Sequence, residues 1–225
     1  MVLALQLPAS AGAASPPAVD DAQSVSPQLI LIHGGSFLYG DPTFRSRTRA
    51  AARAAGFVPH YLRYPLGDMP AAVLAARAEA ARLRARYGRE AVYAYGSSAG
   101  GTLAALLAGD GLVSAAVAKA PISDLLAWEW PLSAYGPDYF ERIGMTLEAR
   151  RRLSPLRRRA VRPLLIVHGR RDRIVPVGMS SEYAVKFRRV HLWVVGGGHQ
   201  TERNRPRLLR RAFGWLARLT AARRG

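Results

Sequence analysis

The 225-residue chain contains no cysteine, so it forms no disulfide and carries no thiol nucleophile. That absence suits a reducing cytosol without excluding export. No apolar run approaches the length of about 18 residues that a membrane-crossing helix needs, which excludes a helical span. Lysine is nearly missing as well: of 33 basic residues only Lys119 and Lys186 are not arginine. Acidic residues number 15, leaving a formal charge of +18 that points at first to nucleic acid or an anionic surface. The arginines, however, are spread along the chain and thicken only at Arg150 to Arg162 and Arg203 to Arg224. No aromatic residues interleave with them as stacking on bases requires, so they read as solvated faces, among them Arg207, Arg210, Arg211 and Arg218 on a terminal helix. No nucleic-acid partner is expected.

What is present is an ordinary globular composition without repeats, long enough to bury a core as one domain. Residues 1–26, rich in small residues and proline, read as a tail or linker, and the domain is expected over 27–225. The tail has a short apolar start and an Ala-rich stretch but no basic n-region. A cytoplasmic location is therefore the expectation, with export through an atypical or truncated signal as the alternative.

From Gln28 onward, β-type runs alternate with helix-type runs. "LILIH", "FVPHYLRY", "AVYAY", "VSAAVAKA", "PLLIVHG" and "VHLWVVG" read as strands, continuously apolar where both faces are covered. Between them lie "TFRSRTRAAARAAG", "MPAAVLAARAEAARLRARYG", "AGGTLAALLAG", "GMSSEYAVKFRR" and a last helix from about Pro206 to Ala222. In the second of these helices the apolar face is assigned to Ala72, Leu74, Ala75, Ala78 and Leu83. Such alternation implies an α/β fold with a mainly parallel central sheet of about six strands and helices on both faces. Chemistry in such sheets collects at the carboxyl ends of the strands.

"GSSAG" sits between one of these strands and its helix. It fits Gly-x-Ser-x-Gly only when centred on Ser98, because Tyr95 stands where Ser97 would need a glycine. Ser98 is thus the candidate nucleophile, the bland reading being a Gly-rich turn with a capping serine. A serine hydroxyl needs a base, and the base an orienting acid. Of five histidines, His199 alone lies in a loop just past a strand's carboxyl end, after "VHLWVVGGG". Asp172 in "VHGRRDRIVP" follows the preceding strand, and Asp124 in "APISDL" is the runner-up acid. "LILIHGGSF" brings a buried strand into glycines, where backbone N–H groups can approach a substrate carbonyl.

With those motifs in place, residues from about Leu29 to Leu219 resemble the α/β-hydrolases, in particular the esterase and lipase group with a His-Gly-Gly loop, akin to hormone-sensitive-lipase-like and carbohydrate-esterase-like enzymes. The resemblance implies Ser98 as nucleophile, Asp172 as acid and His199 as base, with the amides of Gly35, Ser36 and Ala99 forming an oxyanion hole. Two positions depart from the lipase branch: Ser36 stands where a third glycine is usual, and Ser97 where an aspartate is frequent.

The implied activity is a serine hydrolase, carboxylesterase-like, that cleaves small esters of short to medium acyl chain through an acyl-enzyme. It needs no cofactor, and the sequence holds no metal-ligand cluster. A cap-like insertion is expected at about 122–162, where Trp128, Trp130, Tyr135, Tyr139 and Phe140 either line the acyl pocket or pack the cap's own core. An amidase, arylformamidase or serine peptidase on the same triad is the rival reaction. A non-catalytic binding protein on this fold is the rival class.

Overall fold

A computed structural model describes residues 25–201 and 206–223. Residues 1–24, most of the expected tail, lie outside the described residues. Among the described residues, six strands form one sheet: β1 (Gln28–Ile32), β2 (Val58–Tyr61), β3 (Val92–Ser97), β4 (Ala116–Lys119), β5 (Leu164–Gly169) and β6 (Val190–Val195). Their order is β2-β1-β3-β4-β5-β6, and every neighbouring pair is parallel. All strand carboxyl ends therefore face one edge, and the order reverses between β1 and β3, where a crevice opens in such sheets.

Among the described residues, eight α-helices connect or flank the strands: α1 (Phe44–Ala54), α2 (Met69–Tyr87), α3 (Ala99–Gly109), α4 (Trp130–Tyr135), α5 (Tyr139–Arg142), α6 (Leu147–Leu153), α7 (Val177–Lys186) and α8 (Pro206–Ala221). The two-residue period of the strands separates two cores. Ile30, Ile32, Ala94, Ala118 and Ile166 face the layer of α2, α3 and α7. Leu29, Leu31, Tyr93, Tyr95 and Leu165 face α1 and α8. Because both faces are covered, alternation of apolar and polar residues vanishes from the central strands, which accounts for the continuous apolar runs in the sequence.

Helix α3 is buried from Ala99 to Ala108, and its small side chains let it lie close against the sheet. Helix α2 is capped by Asp68, whose carboxylate accepts the N–H of Ala71 at 2.8 Å. Its buried face differs from the expected one: Met69, Ala72, Val73, Ala76, Ala80 and Leu83 turn inward, while Leu74 is 64% exposed. The i, i+3, i+4, i+7 spacing runs through Val73 and Ala76, and an alanine-rich helix offered too little contrast to fix the stripe.

In α8, Leu209, Ala212, Phe213 and Leu216 are buried, while Arg207, Arg210, Arg211 and Arg218 are exposed as expected. No helix among the described residues is long and apolar enough to cross a membrane.

Phe213 is fully buried and meets Tyr95 edge-on, with ring centroids 5.0 Å apart. Phe213→Ala therefore leaves a cavity between α8 and the sheet and is expected to cost about 3–5 kcal/mol. Arg210→Ala, on the wet face of the same helix, should shift stability by less than about 0.5 kcal/mol. Urea unfolding of the two variants beside wild type checks the contrast.

Candidate active site

Ser98 occupies the turn between β3 and α3 with φ 55° and ψ −119°, a backbone region that costs a non-glycine residue about 1–3 kcal/mol. The turn closes so tightly that a Cβ on Gly96 would lie 1.9 Å from the Gly100 oxygen, and one on Gly100 would lie 2.2 Å from the Ile32 oxygen. Both glycines of the motif are thus required by close backbone approach. The Ser98 N–H donates to the Lys119 carbonyl at 2.8 Å, tying the turn to the neighbouring strand β4. The N-terminus of α3 follows at once, placing its partial positive charge beneath the hydroxyl.

Asp172 and His199 come from the loops after β5 and β6, which are neighbours in the sheet. Backbone bonds stitch those loops together: Arg170 N–H to the Val195 oxygen at 2.8 Å, and Arg171 N–H to the Gly197 oxygen at 2.9 Å. The structure brings the three expected residues into one chain of contacts. His199 Nε2 lies 2.9 Å from Ser98 Oγ, and His199 Nδ1 lies 2.7 Å from Asp172 Oδ2.

Asp172 is held by further donors. Its Oδ1 accepts the N–H groups of Ile174 and Val175, each at 2.9 Å. Its Oδ2 also lies 3.2 Å from Nε2 of His168, a fully buried residue at the end of β5. Because that Nε2 also meets the Val175 carbonyl at 2.9 Å, and a carbonyl only accepts, Nε2 carries the proton and Nδ1 accepts the Ser180 hydroxyl at 2.7 Å. Burial alone would raise the Asp172 carboxyl. The hydrogen bonds from His168 and His199, the charge of His199 and the Val175 N–H outweigh it and hold the carboxyl well below the usual carboxylate range. His168 was not singled out in the sequence; its place four residues before the acid is the signal.

The third part is the loop after β1. The Gly35 carbonyl accepts the N–H groups of both Leu38 and Tyr39 at 2.9 Å, which fixes the plane of the Gly35–Ser36 peptide. Ser36 and Phe37 follow with φ of 54° and 60°, two successive non-glycine residues in the left-handed region. The Gly34 Cα comes so near Ser97 and Ser98 that a Cβ there would lie 2.8 Å from the Ser97 oxygen. Gly35 and Ser36 thus border the same space as Ser98, and Ala99 follows Ser98 directly as the first, buried residue of α3.

That space is a cavity of about 270 Å³ whose lining includes Ser36, Ser98, Trp130, Tyr135, Ile174 and His199. The aromatics between 128 and 140 divide between the two expected roles. Trp128, Tyr139 and Phe140 are buried in the core, while Trp130 and Tyr135 line the cavity. At the rim, Asp41 forms an ion pair with Arg47. Lys119, also missed in the sequence, lines the cavity and donates from Nζ to the His199 carbonyl.

Asp124, the runner-up acid, is placed elsewhere. It accepts the Leu126 N–H at 2.8 Å and the Ser154 hydroxyl at 3.3 Å, with Arg157 3.3 Å away, and serves the packing of the 122–162 segment. Among the described residues, no group of three or more His, Cys, Asp or Glu is arranged to hold a metal ion.

An all-parallel sheet carrying a strained serine elbow defines the class of the molecule, the α/β-hydrolases. Solved structures agree on the fold. Thermogutta terrifontis esterase 2 in its apo form is similar at TM-score 0.71 and 22% identity, over 89% of this chain and 84% of its own. An acetyl ester-xyloside bifunctional hydrolase from Caldicellulosiruptor lactoaceticus is similar at TM-score 0.72 and 16% identity, over 90% of this chain and 85% of its own. An esterase/lipase from an uncultured bacterium gives 0.72 and 19%, over 87% and 78%.

Within that class, residues 63–223 match the model of the prolyl oligopeptidase family, and the chain belongs to that family. By fold and family it is a hydrolase. No curated protein matches it by sequence.

The depressed Asp172 value sets a sign for stability against pH. A carboxyl lower in the folded than in the unfolded chain contributes stability above its unfolded value, near pH 4, and loses it as pH falls toward the folded value. Asp172→Asn is therefore expected to be less stable than wild type at pH 7, with the gap narrowing below about pH 4. Urea midpoints at pH 7, 5 and 3 measure it; a gap that does not change with pH would refute the assignment.

Proposed function

We propose that this protein is a serine carboxylesterase acting on small esters of short acyl chain. The observation that carries the reading is the continuous contact from Ser98 Oγ through the two nitrogens of His199 to Asp172, at 2.9 and 2.7 Å. In this reading His199 takes the Ser98 proton as Oγ attacks the ester carbonyl, and buried, ionised Asp172 holds the imidazole in the tautomer whose Nε2 accepts. The tetrahedral oxyanion rests on the amides of Gly35, Ser36 and Ala99, an arrangement in which each donor contributes on the order of 10²–10³ to the rate. His199 then protonates the departing alcohol, leaving an acyl-Ser98, which water activated by the same histidine releases as the acid.

The size of the cavity supports a small acyl group. At about 270 Å³ it falls below the roughly 300–1,000 Å³ typical of sites for drug-sized ligands. The 122–162 segment acts as a short cap: through Trp130 and Tyr135 it supplies an aromatic wall rather than a long lid. Thermogutta terrifontis esterase 2, which shares the fold, is known with propionate and with butyrate bound, and phosphorylated by paraoxon.

Membership of the prolyl oligopeptidase family favours peptide or amide cleavage as the second reading. Against it, the carboxylate at the cavity rim, Asp41, is engaged by Arg47 rather than presented to a substrate amine.

The test is hydrolysis of p-nitrophenyl acetate, butyrate and octanoate beside formanilide and peptide p-nitroanilides. Acetate or butyrate should lead, with kcat/KM at least tenfold lower for octanoate, and Ser98→Ala should lose about 10⁴-fold or more. Equal activity in Ser98→Ala overturns the nucleophile, a preference for octanoate overturns the short acyl chain, and faster anilide cleavage selects the second reading.

A further inference from the structure

The loop that presents the Gly35 and Ser36 amides does not hold its own shape. Ser36 and Phe37 both sit at positive φ without being glycine, so the local backbone preference runs against the conformation observed. Something outside the loop must over-determine it. On the near side, the Tyr64 hydroxyl donates to the His33 carbonyl at 3.0 Å, with the ring stacked on His33 at 4.4 Å between centroids. On the far side, the Tyr139 hydroxyl donates to the Ser36 carbonyl at 2.8 Å.

Tyr139 lies 103 positions further along the chain, in α5, inside the 122–162 segment. It is fully buried, stacked on Tyr135 at 5.5 Å and packed edge-on against Trp128 at 5.8 Å. Tyr135 itself lines the cavity, and its hydroxyl lies 3.4 Å from Ser36 Oγ.

The geometry of the two peptide planes explains what this contact does. The Gly35–Ser36 plane is fixed by the two amides that converge on the Gly35 oxygen, and the N–H of Ser36 points the opposite way in a trans peptide. The Ser36–Phe37 plane is fixed by Tyr139. With both planes held, φ of Ser36 has no freedom to fall back to a negative value, and the Ser36 N–H keeps its direction. Burial raises the Tyr139 phenol above its ordinary value, so at neutral pH it is a protonated donor.

From this we infer that Tyr139 is a positioning residue for the oxyanion hole, and that through the Tyr135–Tyr139 stack the wall of the substrate cavity is mechanically joined to the donor amide. The inference rests on the reading of the Ser36 N–H as an oxyanion donor. A group that aims such a donor acts on the transition state and leaves ground-state binding almost untouched.

Tyr139→Phe removes the hydroxyl and keeps the ring in its stack. On p-nitrophenyl acetate kcat should fall about tenfold while KM stays within twofold, and the affinity for phenylboronic acid, whose tetrahedral Ser98 adduct places an oxygen in the hole, should fall in parallel. Tyr139→Leu should be no more active than Tyr139→Phe. Unchanged kcat and boronate affinity in Tyr139→Phe, a rise in KM alone, or full activity in Phe with loss only in Leu would each overturn the inference, the last because ring packing would then suffice. Boronate binding, followed by calorimetry, needs no turnover: a wild type that binds boronate without cleaving esters defeats the esterase reading and leaves the Tyr139 comparison decisive. A wild type that binds none overturns both. If Tyr139→Phe does not fold, Tyr135→Leu, which removes the ring stacked on Tyr139, takes its place: kcat and boronate affinity should both fall two- to threefold, and a loss confined to KM overturns the inference.

Discussion

The close approach of three backbone segments at the top of the sheet is the constraint on which the site depends. Gly96 and Gly100 admit no side chain, because the Gly100 carbonyl fills the space at the first and the Ile32 and His33 carbonyls fill it at the second. Packing backbone against backbone in this way brings the end of β3, the start of α3 and the loop after β1 within reach of one small reacting group. Van der Waals exclusion at these glycines is therefore what permits the Ser98 hydroxyl, a helix N-terminus and the loop after β1 to meet at one cavity. The cost appears as strain at Ser98, Ser36 and Phe37, residues clustered around that cavity.

Strain of this kind persists only where the surroundings are stiff. Here the stiffness comes from the two cores on either face of the sheet and from the ladder that joins β1, β3 and β4. The small side chains of α3 let that helix lie flat on the strands, so the elbow in front of it has no room to unwind. Fold and site are thus coupled: the alanines that look uninformative in "AGGTLAALLAG" set the distance at which Ser98 meets its neighbours.

Much of this was legible in the sequence because it depends on local rules. Strand and helix periodicity predicts the six strands and the central helices, since a doubly covered sheet leaves continuous apolar runs. Gly-x-Ser-x-Gly pins Ser98, since each glycine answers a steric demand within five residues. Asp172 and His199 could be proposed because loops at strand carboxyl ends are where side chains of different strands meet.

What was hidden is what depends on long-range contact. The stripe expected for α2 fails at Leu74 and Ala78, both exposed, because alanine carries little hydrophobic contrast. Asp124 resembled an acid at a strand end, but its partners Ser154 and Arg157 lie some thirty residues on, and only the fold reveals that they claim it. His168, Lys119 and Tyr139 carry no motif of their own.

Electrostatics closes the account of the acid. A buried carboxylate is expensive unless its oxygens are satisfied, and Asp172 has four donors, two backbone amides and two imidazoles, on its two oxygens. Donors on that scale do more than offset burial; they reverse its sign and keep the group ionised. A carboxylate that stays charged and cannot rotate leaves His199 Nδ1 one favourable partner, and the ring is then committed to presenting Nε2 to Ser98. The surplus of arginine takes no part in this arrangement. Its charge is carried largely at the surface, on faces such as that of α8, while beside the cavity the buried carboxylate of Asp172 and the buried ammonium of Lys119 both meet His199.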